Sequence, residues 1–304
     1  MKRTCKEYDV VVLGGGLAGI AAALGAKTGQ NRVLLMTKGF GSYYYGPGWL
    51  DLFGSNRGKI IKNPWAWMDK TPVGHPYRLL GEKRVRQALK TFLLHLEEAG
   101  LSFLSPENDE NFFLPTALGS IRPTYLAPLS LAQGEIKPGE KIKIFGVEGF
   151  HYFSPQIVAE NLVKGYQRLG MTVKAGWGKL IAEKTRPATV SAYDLALWFD
   201  EPEHTEKVIK QVMSQLDEEE KIGFPAILGL ENHPQVLRQI EEGTGRKVFE
   251  IPTLPPSVPG IRWHHQLVKM MRKKGIDYLT GYPAFCAVIN GDWISSVHIA
   301  TPGK

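Results

Sequence analysis

The sequence is short of the residues that would staple or anchor it. Its 304 positions hold two cysteines, Cys5 and Cys286, near opposite ends, so it contains no Cys-x-x-Cys motif and no disulfide framework. This excludes an iron–sulfur cluster or a structural zinc site built from this chain alone, no metal site is expected, and a reducing compartment, the cytoplasm, is implied. No run of roughly 18 apolar residues occurs, which argues against a membrane-spanning helix. Met1–Lys6 and the apolar Val10–Ala26 superficially copy a leader peptide, but Glu7 and Asp9 interrupt the basic region and Gly14-Gly15-Gly16 would break its helix. An excess of one charge is also slight: 37 Lys and Arg against 30 Asp and Glu give +7, which favours anionic partners in general. The densest basic cluster, Lys269–Lys274, fits the solvated end of a helix beside the negative pole of its dipole rather than a nucleic-acid surface. With 43% hydrophobic and 22% charged residues, the chain has the composition of a globular protein, long enough for two domains at roughly 100–200 residues each.

What is present alternates between strand and helix patterns. Tyr8–Leu13 is a Val-rich run suited to a parallel strand covered on both faces, Leu17–Lys27 has Ala and Leu at helical spacing, and Arg32–Met36 is a second strand. Gly39–Pro76, rich in Gly, Tyr, Trp and Pro, reads as loops over a ligand. Glu82–Ala99 predicts a helix with Val85, Leu89, Phe92, Leu93 and Leu96 on one face and Gly100 as its stop. Phe112–Pro128 suggests short antiparallel pieces. The alternation then resumes with strand Lys141–Val147, helix Pro155–Leu169, strand Met171–Ala175, helices Thr189–Trp198 and His204–Glu219, strand Pro225–Leu230, helix Pro234–Glu242 and strand Lys247–Ile251. The charge run Asp217–Glu220 reads as an exposed face. Helix Arg262–Lys274 and strands Asp277–Thr280, Phe285–Ile289 and Trp293–Ile299 follow, with Asn290-Gly291 as a hairpin turn.

Gly14-x-Gly16-x-x-Gly19 lies between the first strand and the first helix, the context that gives this pattern its meaning. Gly14 permits a tight turn, Gly16 lets backbone approach a phosphate, and Gly19 lets helix and strand pack closely. The helix then presents unpaired N–H groups to an anion, so a dinucleotide or flavin phosphate is the expected ligand. The carboxylate that would hold an adenosine ribose at the end of the second strand is missing: Thr37 stands there, followed by Lys38. That leaves both FAD and FMN open as cofactor.

Several segments together resemble the B subunit of anaerobic glycerol-3-phosphate dehydrogenase: Asp9–Gly19, Gly48-Trp-Leu-Asp-Leu52, His75-Pro-Tyr-Arg-Leu-Leu-Gly81, Leu118-Gly-Ser-Ile-Arg-Pro-Thr124 and above all Pro252-Thr-Leu-Pro-Pro-Ser-Val-Pro-Gly-Ile-Arg262. The resemblance implies a flavoprotein oxidoreductase subunit of glycerol metabolism and anaerobic respiration that works with a larger flavin subunit and an iron–sulfur, membrane-anchoring subunit. Electrons from sn-glycerol 3-phosphate would pass to the quinone pool, giving dihydroxyacetone phosphate, with the complex peripheral at the inner face of the cell membrane. The family continues beyond the point matching Lys304, so the flavin domain is expected to be incomplete on that side. The alternatives are another FAD- or NAD(P)-dependent oxidoreductase of the same fold, or a non-catalytic assembly subunit with a degenerate flavin site.

The expected architecture is therefore α/β: a Rossmann-type flavin-binding domain from 1–80 and 253–304, with a second α/β domain, 81–252, inserted. Gly14, Gly15, Gly16, Leu17, Ala18, Gly19, Thr37, Lys38, Gly46 and Gly48 are the expected cofactor-binding positions, with Tyr43-Tyr44-Tyr45 lining the flavin mouth or packing on the core. For the substrate, His75 is a candidate base, and Arg78, Arg122 and Arg262 are candidate phosphate clamps. Of the adjacent His264 and His265, one should face inward and one solvent. Gly146-Val-Glu-Gly149 reads as a structural turn.

Overall fold

The computed structural model describes residues 6–182, 190–217 and 220–299; Cys5 and the chain end after Ile299 lie outside them. The chain starts as its patterning implies, with β1 (Val10–Leu13), α1 (Leu17–Ala26) and β2 (Val33–Thr37). β1 and β2 are parallel, Val10 opposite Val33 and Leu13 opposite Met36. α1 covers them by burying Ile20, Ala23 and Leu24, the small Ala23 letting the helix axis come close. Gly39–Pro76 forms only short elements: 3-10 turns at Ser42–Tyr45 and Trp65–Lys70, strands β3 (Ser55–Asn56) and β4 (Lys59–Ile60), and, opening at Pro76, helix α2 (Pro76–Leu80).

α3 (Glu82–Glu98) buries Val85 and Leu96 and packs Leu89, Phe92 and Leu93 at the same face. Strands β5 (Phe103–Leu104), β6 (Phe112–Pro115), β7 (Ile121–Thr124) and β8 (Ala127–Pro128) pair antiparallel, β5 with β8 and β6 with β7, and α4 (Leu129–Ala132) leads out of them. Then come β9 (Lys141–Val147), α5 (Pro155–Arg168), β10 (Lys174–Leu180), α6 (Ala192–Phe199), α7 (Pro202–Met213), β11 (Glu220–Pro225), α8 (His233–Thr244) and β12 (Val248–Ile251). The four strands make an all-parallel sheet in the order β10-β9-β11-β12. Its inward side chains, among them Ile142, Ile144, Phe145, Ile222, Phe224 and Phe249, join the helices in one apolar cluster.

α9 (Val258–Lys273) and β13 (Ile276–Thr280) return to the first sheet, where β13 pairs with β2 and gives the order β1-β2-β13. α9 belongs to both cores: Val258 and Ile261 join the cluster of the four-stranded sheet, and Trp263, Leu267, Met270 and Met271 join that of the three-stranded sheet. Among the described residues, no strand pairs with the outer edge of β1. β14 (Ala284–Asn290) and β15 (Trp293–Ile299) close the described chain as an antiparallel hairpin, with Phe285, Ile289, Trp293 and Ile294 exposed.

Several boundaries, and one expected exposure, differ from the sequence expectation; the helix expected at His204–Glu219 runs from Pro202 to Met213. The strand expected at Met171–Ala175 lies at Lys174–Leu180. Its Gly176 and Gly178 conceal it, but Gly178 is needed because a Cβ there would sit 2.6 Å from the Phe145 ring of β9. The strand expected at Pro225–Leu230 ends where that run begins. Ala226 still donates its N–H to the Ile251 carbonyl of β12, but Ile227–Leu230 is buried as irregular chain, its Leu228 and Leu230 N–H groups bonded to the carboxylates of Glu250 and Asp200. Within the Asp217–Glu220 run, Glu220 is not on an exposed face: it is buried at the start of β11, 3.8 Å from Lys143 Nζ, while Glu218 and Glu219 lie outside the described residues. α9 starts at Val258 rather than Arg262, since Pro259 suits a first helical turn. The hairpin loop is Gly291-Asp292 rather than Asn290-Gly291, because Asn290 pairs with Trp293.

Candidate functional site

The glycine loop joins the end of β1 to α1. Gly14 adopts φ +117, which L side chains rarely reach, and donates its N–H to the Met36 carbonyl at 2.8 Å, tying the turn to β2. Gly19 is obligatory for a different reason: a Cβ there would lie 1.8 Å from the Gly14 carbonyl oxygen. Gly16 caps α1 through its backbone alone, with no side chain accepting from the first turn and no acidic residue in it. The orphan N–H groups and the positive end of the helix dipole are therefore uncommitted to any side chain, and the space in front of Gly14 and Gly16 is open. This is what a phosphate group needs. Gly15 faces inward, where a Cβ would meet Thr37 at 2.8 Å.

The end of β2 is built differently from a ribose grip. Thr37 is buried, 7% exposed, and its hydroxyl donates to the Gly39 carbonyl at 2.5 Å. That bond turns the chain after the strand and spends the only proton the side chain has. Lys38 beside it is exposed. The residues present thus fit the phosphates of a flavin dinucleotide and offer no carboxylate to its adenosine ribose.

From Gly39 the chain folds back over the loop. A Cβ on Gly41 would lie 2.6 Å from the Gly16 Cα, so the two backbones touch. The turn Ser42–Tyr45 then seats on the start of α9: a Cβ on Gly260 would strike the Tyr44 carbonyl at 2.3 Å, and one on Gly48, itself at φ +82, would strike Pro259 at 2.5 Å. Gly46 closes the turn by donating to the Tyr43 carbonyl. Of the three tyrosines, Tyr43 is buried, Tyr44 half-buried and Tyr45 exposed, so the triplet is mainly a packing element. Tyr44 stacks on the exposed Phe40 at 4.3 Å. Tyr43 Oη and His264 Nδ1 share a hydrogen bond of 2.8 Å, whereas His265 sits at the surface against Glu231. The inward and outward pair is as expected, and the bond between Tyr43 and His264 was not visible in the sequence, since 221 positions separate the partners.

The four residues expected to serve a substrate are not brought together as a cluster. His75 caps α2, its Nδ1 accepting from the Tyr77 N–H. Arg78 donates to the Thr71 carbonyl at 3.0 Å. Arg122 is paired with Asp51, whose other oxygen accepts from Thr124 at 2.7 Å. Arg262 is 8% exposed, forks onto Glu250 at 2.7 and 3.0 Å, and gives its Nε–H to the Gly229 carbonyl. Glu250, 1% exposed, also accepts from Ser130 Oγ and the Leu228 N–H, with His233 Nε2 at 3.5 Å. This network ties α9 to β12, α4 and α8. Gly146 is a strand residue under Pro155, and Gly149, at φ +81, forms the turn expected for that segment. Sequence reasoning missed Thr253 and Ser257, whose buried hydroxyls find no partner among the described residues.

The buried imidazoles set an acid limit. Burial, helped by the Arg262 charge, holds His233 down at about 4, and burial, with His265 nearby, does the same for His264. Either group binds its proton more readily in the unfolded chain, from the ordinary 6.5 downward, so folding loses stability as pH falls from 6.5 through 4. Glu250 is held at about 2 by the Arg262 and His233 charges against its desolvation, below the ordinary 4.5, which extends the loss below pH 4.5. Thermal melts over a pH series should show Tm flat above about pH 7 and falling steadily below it; a Tm that holds constant or rises on acidification to about pH 4 would contradict the assignment.

Among the described residues, no helix is long and apolar enough to cross a membrane. The FAD binding domain family matches residues 9–282. Curated relatives match nearly the whole chain: the B subunit of anaerobic glycerol-3-phosphate dehydrogenase from Pasteurella multocida is 27% identical over 302 residues, 96% of this chain and 70% of the relative. The protein of the same name from Haemophilus influenzae is 28% identical, covering 96% and 71%, and that of Vibrio vulnificus 27%, covering 97% and 68%. Among solved structures, 3-ketosteroid delta1-dehydrogenase from Sterolibacterium denitrificans aligns with 98% of this chain and 45% of its own at 13% identity and TM-score 0.37. With an open glycine loop before an uncapped helix and a family match that spans both parallel sheets, the chain belongs to the FAD binding domain family.

Proposed function

We propose that this chain is the flavin-holding subunit of a glycerol-3-phosphate dehydrogenase that delivers electrons to a quinone. The observation that carries the reading is the uncapped start of α1, opened by Gly14, Gly16 and Gly19, in a chain similar over 96% of its length to subunits of that name. The backbones of Gly14, Gly15, Gly16, Leu17, Ala18 and Gly19 would hold the cofactor's phosphates. Thr37 and Lys38 lie on the ribose side, Lys38 as a cation rather than an acceptor, and Gly46 and Gly48 shape the turn that walls the site. Bound there, FAD would supply the two-electron acceptor for oxidation of sn-glycerol 3-phosphate, the C2 hydrogen leaving as hydride and the hydroxyl proton passing to solvent, to give dihydroxyacetone phosphate.

His75, Arg78, Arg122 and Arg262 serve the frame in this reading, since the bonds they make run inside the chain. Residues 1–80 and 253–304 form the flavin unit and 81–252 the inserted one, with α9 as the joint between their cores. A larger flavin subunit and an iron–sulfur subunit that anchors the assembly at the inner face of the membrane complete the electron path. Thr37 favours a second reading, an assembly subunit with a weakened flavin site, because its hydroxyl is spent on Gly39.

The test is an absorbance spectrum of the purified chain, acid release and chromatography of the cofactor, then anaerobic addition of glycerol 3-phosphate in the presence of the partner subunits. Released FAD or FMN and bleaching of the flavin band specific to this substrate are the expected results. A colourless chain that still binds its partner subunits would replace this reading with the assembly one.

A further inference from the structure

The four-stranded sheet carries a second cavity, away from the glycine loop, at the edge where its strands begin. It is an open cleft of about 600 Å³ between the starts of β9 and β11 and the turn that follows α8, a volume in the range of small-molecule sites. Its walls are mostly charged and the charges do not balance. Glu140 lies 3.7 Å from Lys221 Nζ, and Glu220 lies 3.8 Å from Lys143 Nζ, so both lining carboxylates already have a cation. Lys141, Arg246 and Lys247 also line the cavity, and among the described residues no salt bridge or side-chain hydrogen bond is made by any of the three.

Arg246 is the most telling of them. Its Nε–H is shut off from water and has no hydrogen-bond partner among the described residues, and a buried donor left unpaired is costly unless something compensates it. The negative end of α8 would attract one cation beyond Gly245, but a guanidinium capping that helix would spend Nε–H on a carbonyl, and this one does not. Lys221 adds to the imbalance: it is drawn out of water, donates a hydrogen bond to the Glu135 backbone carbonyl at 2.8 Å, and has its pKa lowered by burial, while Glu140 opposes and Lys247 reinforces the shift. Like charges brought together in a concave cleft are favoured where an anion neutralises them.

We propose that this cavity is a binding site for a phosphorylated small molecule, held by the Arg246 fork together with Lys141 and Lys247. Guanidinium and ammonium donors around a hollow of this size match a phosphate dianion in charge and in hydrogen-bond direction. The site is independent of the flavin reading, since it shares no residue with the glycine loop.

Calorimetric titration of inorganic phosphate and of pyrophosphate into the purified, flavin-loaded chain tests it. One saturable site is expected, tighter for pyrophosphate and weakened by added salt. Arg246→Gln and, separately, Lys141→Gln should each weaken it by about tenfold or more, with flavin content and Tm unchanged. Lys141 is exposed, so its variant keeps the test valid if Arg246→Gln folds poorly. Absence of saturable binding up to about 10 mM, or binding that both variants leave intact, overturns the proposal.

Discussion

Gly19→Ala should strip the protein of flavin and lower its stability, while Gly25→Ala, six residues further along the same helix, should do neither. The contrast isolates sterics from helix propensity. At position 25 an added Cβ meets nothing within 4 Å, and alanine in an exposed helical position is better than glycine by about 1 kcal/mol. At position 19 the same methyl would overlap the Gly14 carbonyl at 1.8 Å, so α1 must back away from the loop by more than an ångström. That retreat carries the helix N-terminus away from the phosphate and opens the packing of Ala23 against the strands. Overpacking of this kind costs roughly 1–3 kcal/mol, with backbone contacts at the upper end, and the flavin loss should approach completeness. Flavin-to-protein absorbance ratios and thermal melts of the two variants are the measurement. A yellow Gly19→Ala protein with an unchanged melt would remove the loop from the cofactor site.

Arg262→Met should be the most damaging single change to the fold. It leaves Glu250 charged, nearly inaccessible and without its two fork contacts, and takes the Nε–H donor from the Gly229 carbonyl as well. Breaking a buried pair from one side costs about 3–5 kcal/mol, which for a chain of this length is a drop in Tm on the order of 10 °C. The double variant Glu250→Gln with Arg262→Met should recover much of that loss, because a neutral amide can accept from the Leu228 N–H through its oxygen and donate to Ser130 Oγ through its NH2, with no charge left buried. Melts of the two singles and the double form a cycle whose coupling term reports the pair. If Arg262→Met melts like the parent, the network is not what holds α9 to the four-stranded sheet.

The same arginine shows where sequence reading stops. In the sequence it is a candidate phosphate clamp, but its carboxylate partner is twelve positions earlier, on a strand, and the serine that completes the network is 120 positions from that carboxylate. Spacing along a chain carries no trace of such pairings. The glycine loop is the opposite case: its shape follows from local backbone geometry, so Gly14, Gly16 and Gly19 between a strand and a helix located the turn, with β1, α1 and β2 around it. Thr37 was legible as a missing acceptor, though its bond to Gly39 was not. β10 was misplaced because glycines that make room for a neighbouring ring look like breaks, and β11 because an apolar run buried as irregular chain has the same composition as a strand. The basic cavity was invisible for a similar reason. Lys141 and Lys247 stand over a hundred positions apart and meet only when parallel strands align their starting ends.

The exposed hairpin has an optical consequence. Of the seven tryptophans, Trp263 and Trp65 lie in the cores at 2% and 5% exposure, whereas Trp293, at the tip of the hairpin, is 79% exposed. Its indole emits from water and is open to collisional quenchers, while the core indoles emit from apolar surroundings. The protein therefore carries an intrinsic fluorophore on an apolar exposed hairpin, and whatever covers Trp293 will announce itself as a blue shift and a loss of quenching, over the steady contribution of the exposed Trp177, without any label being attached.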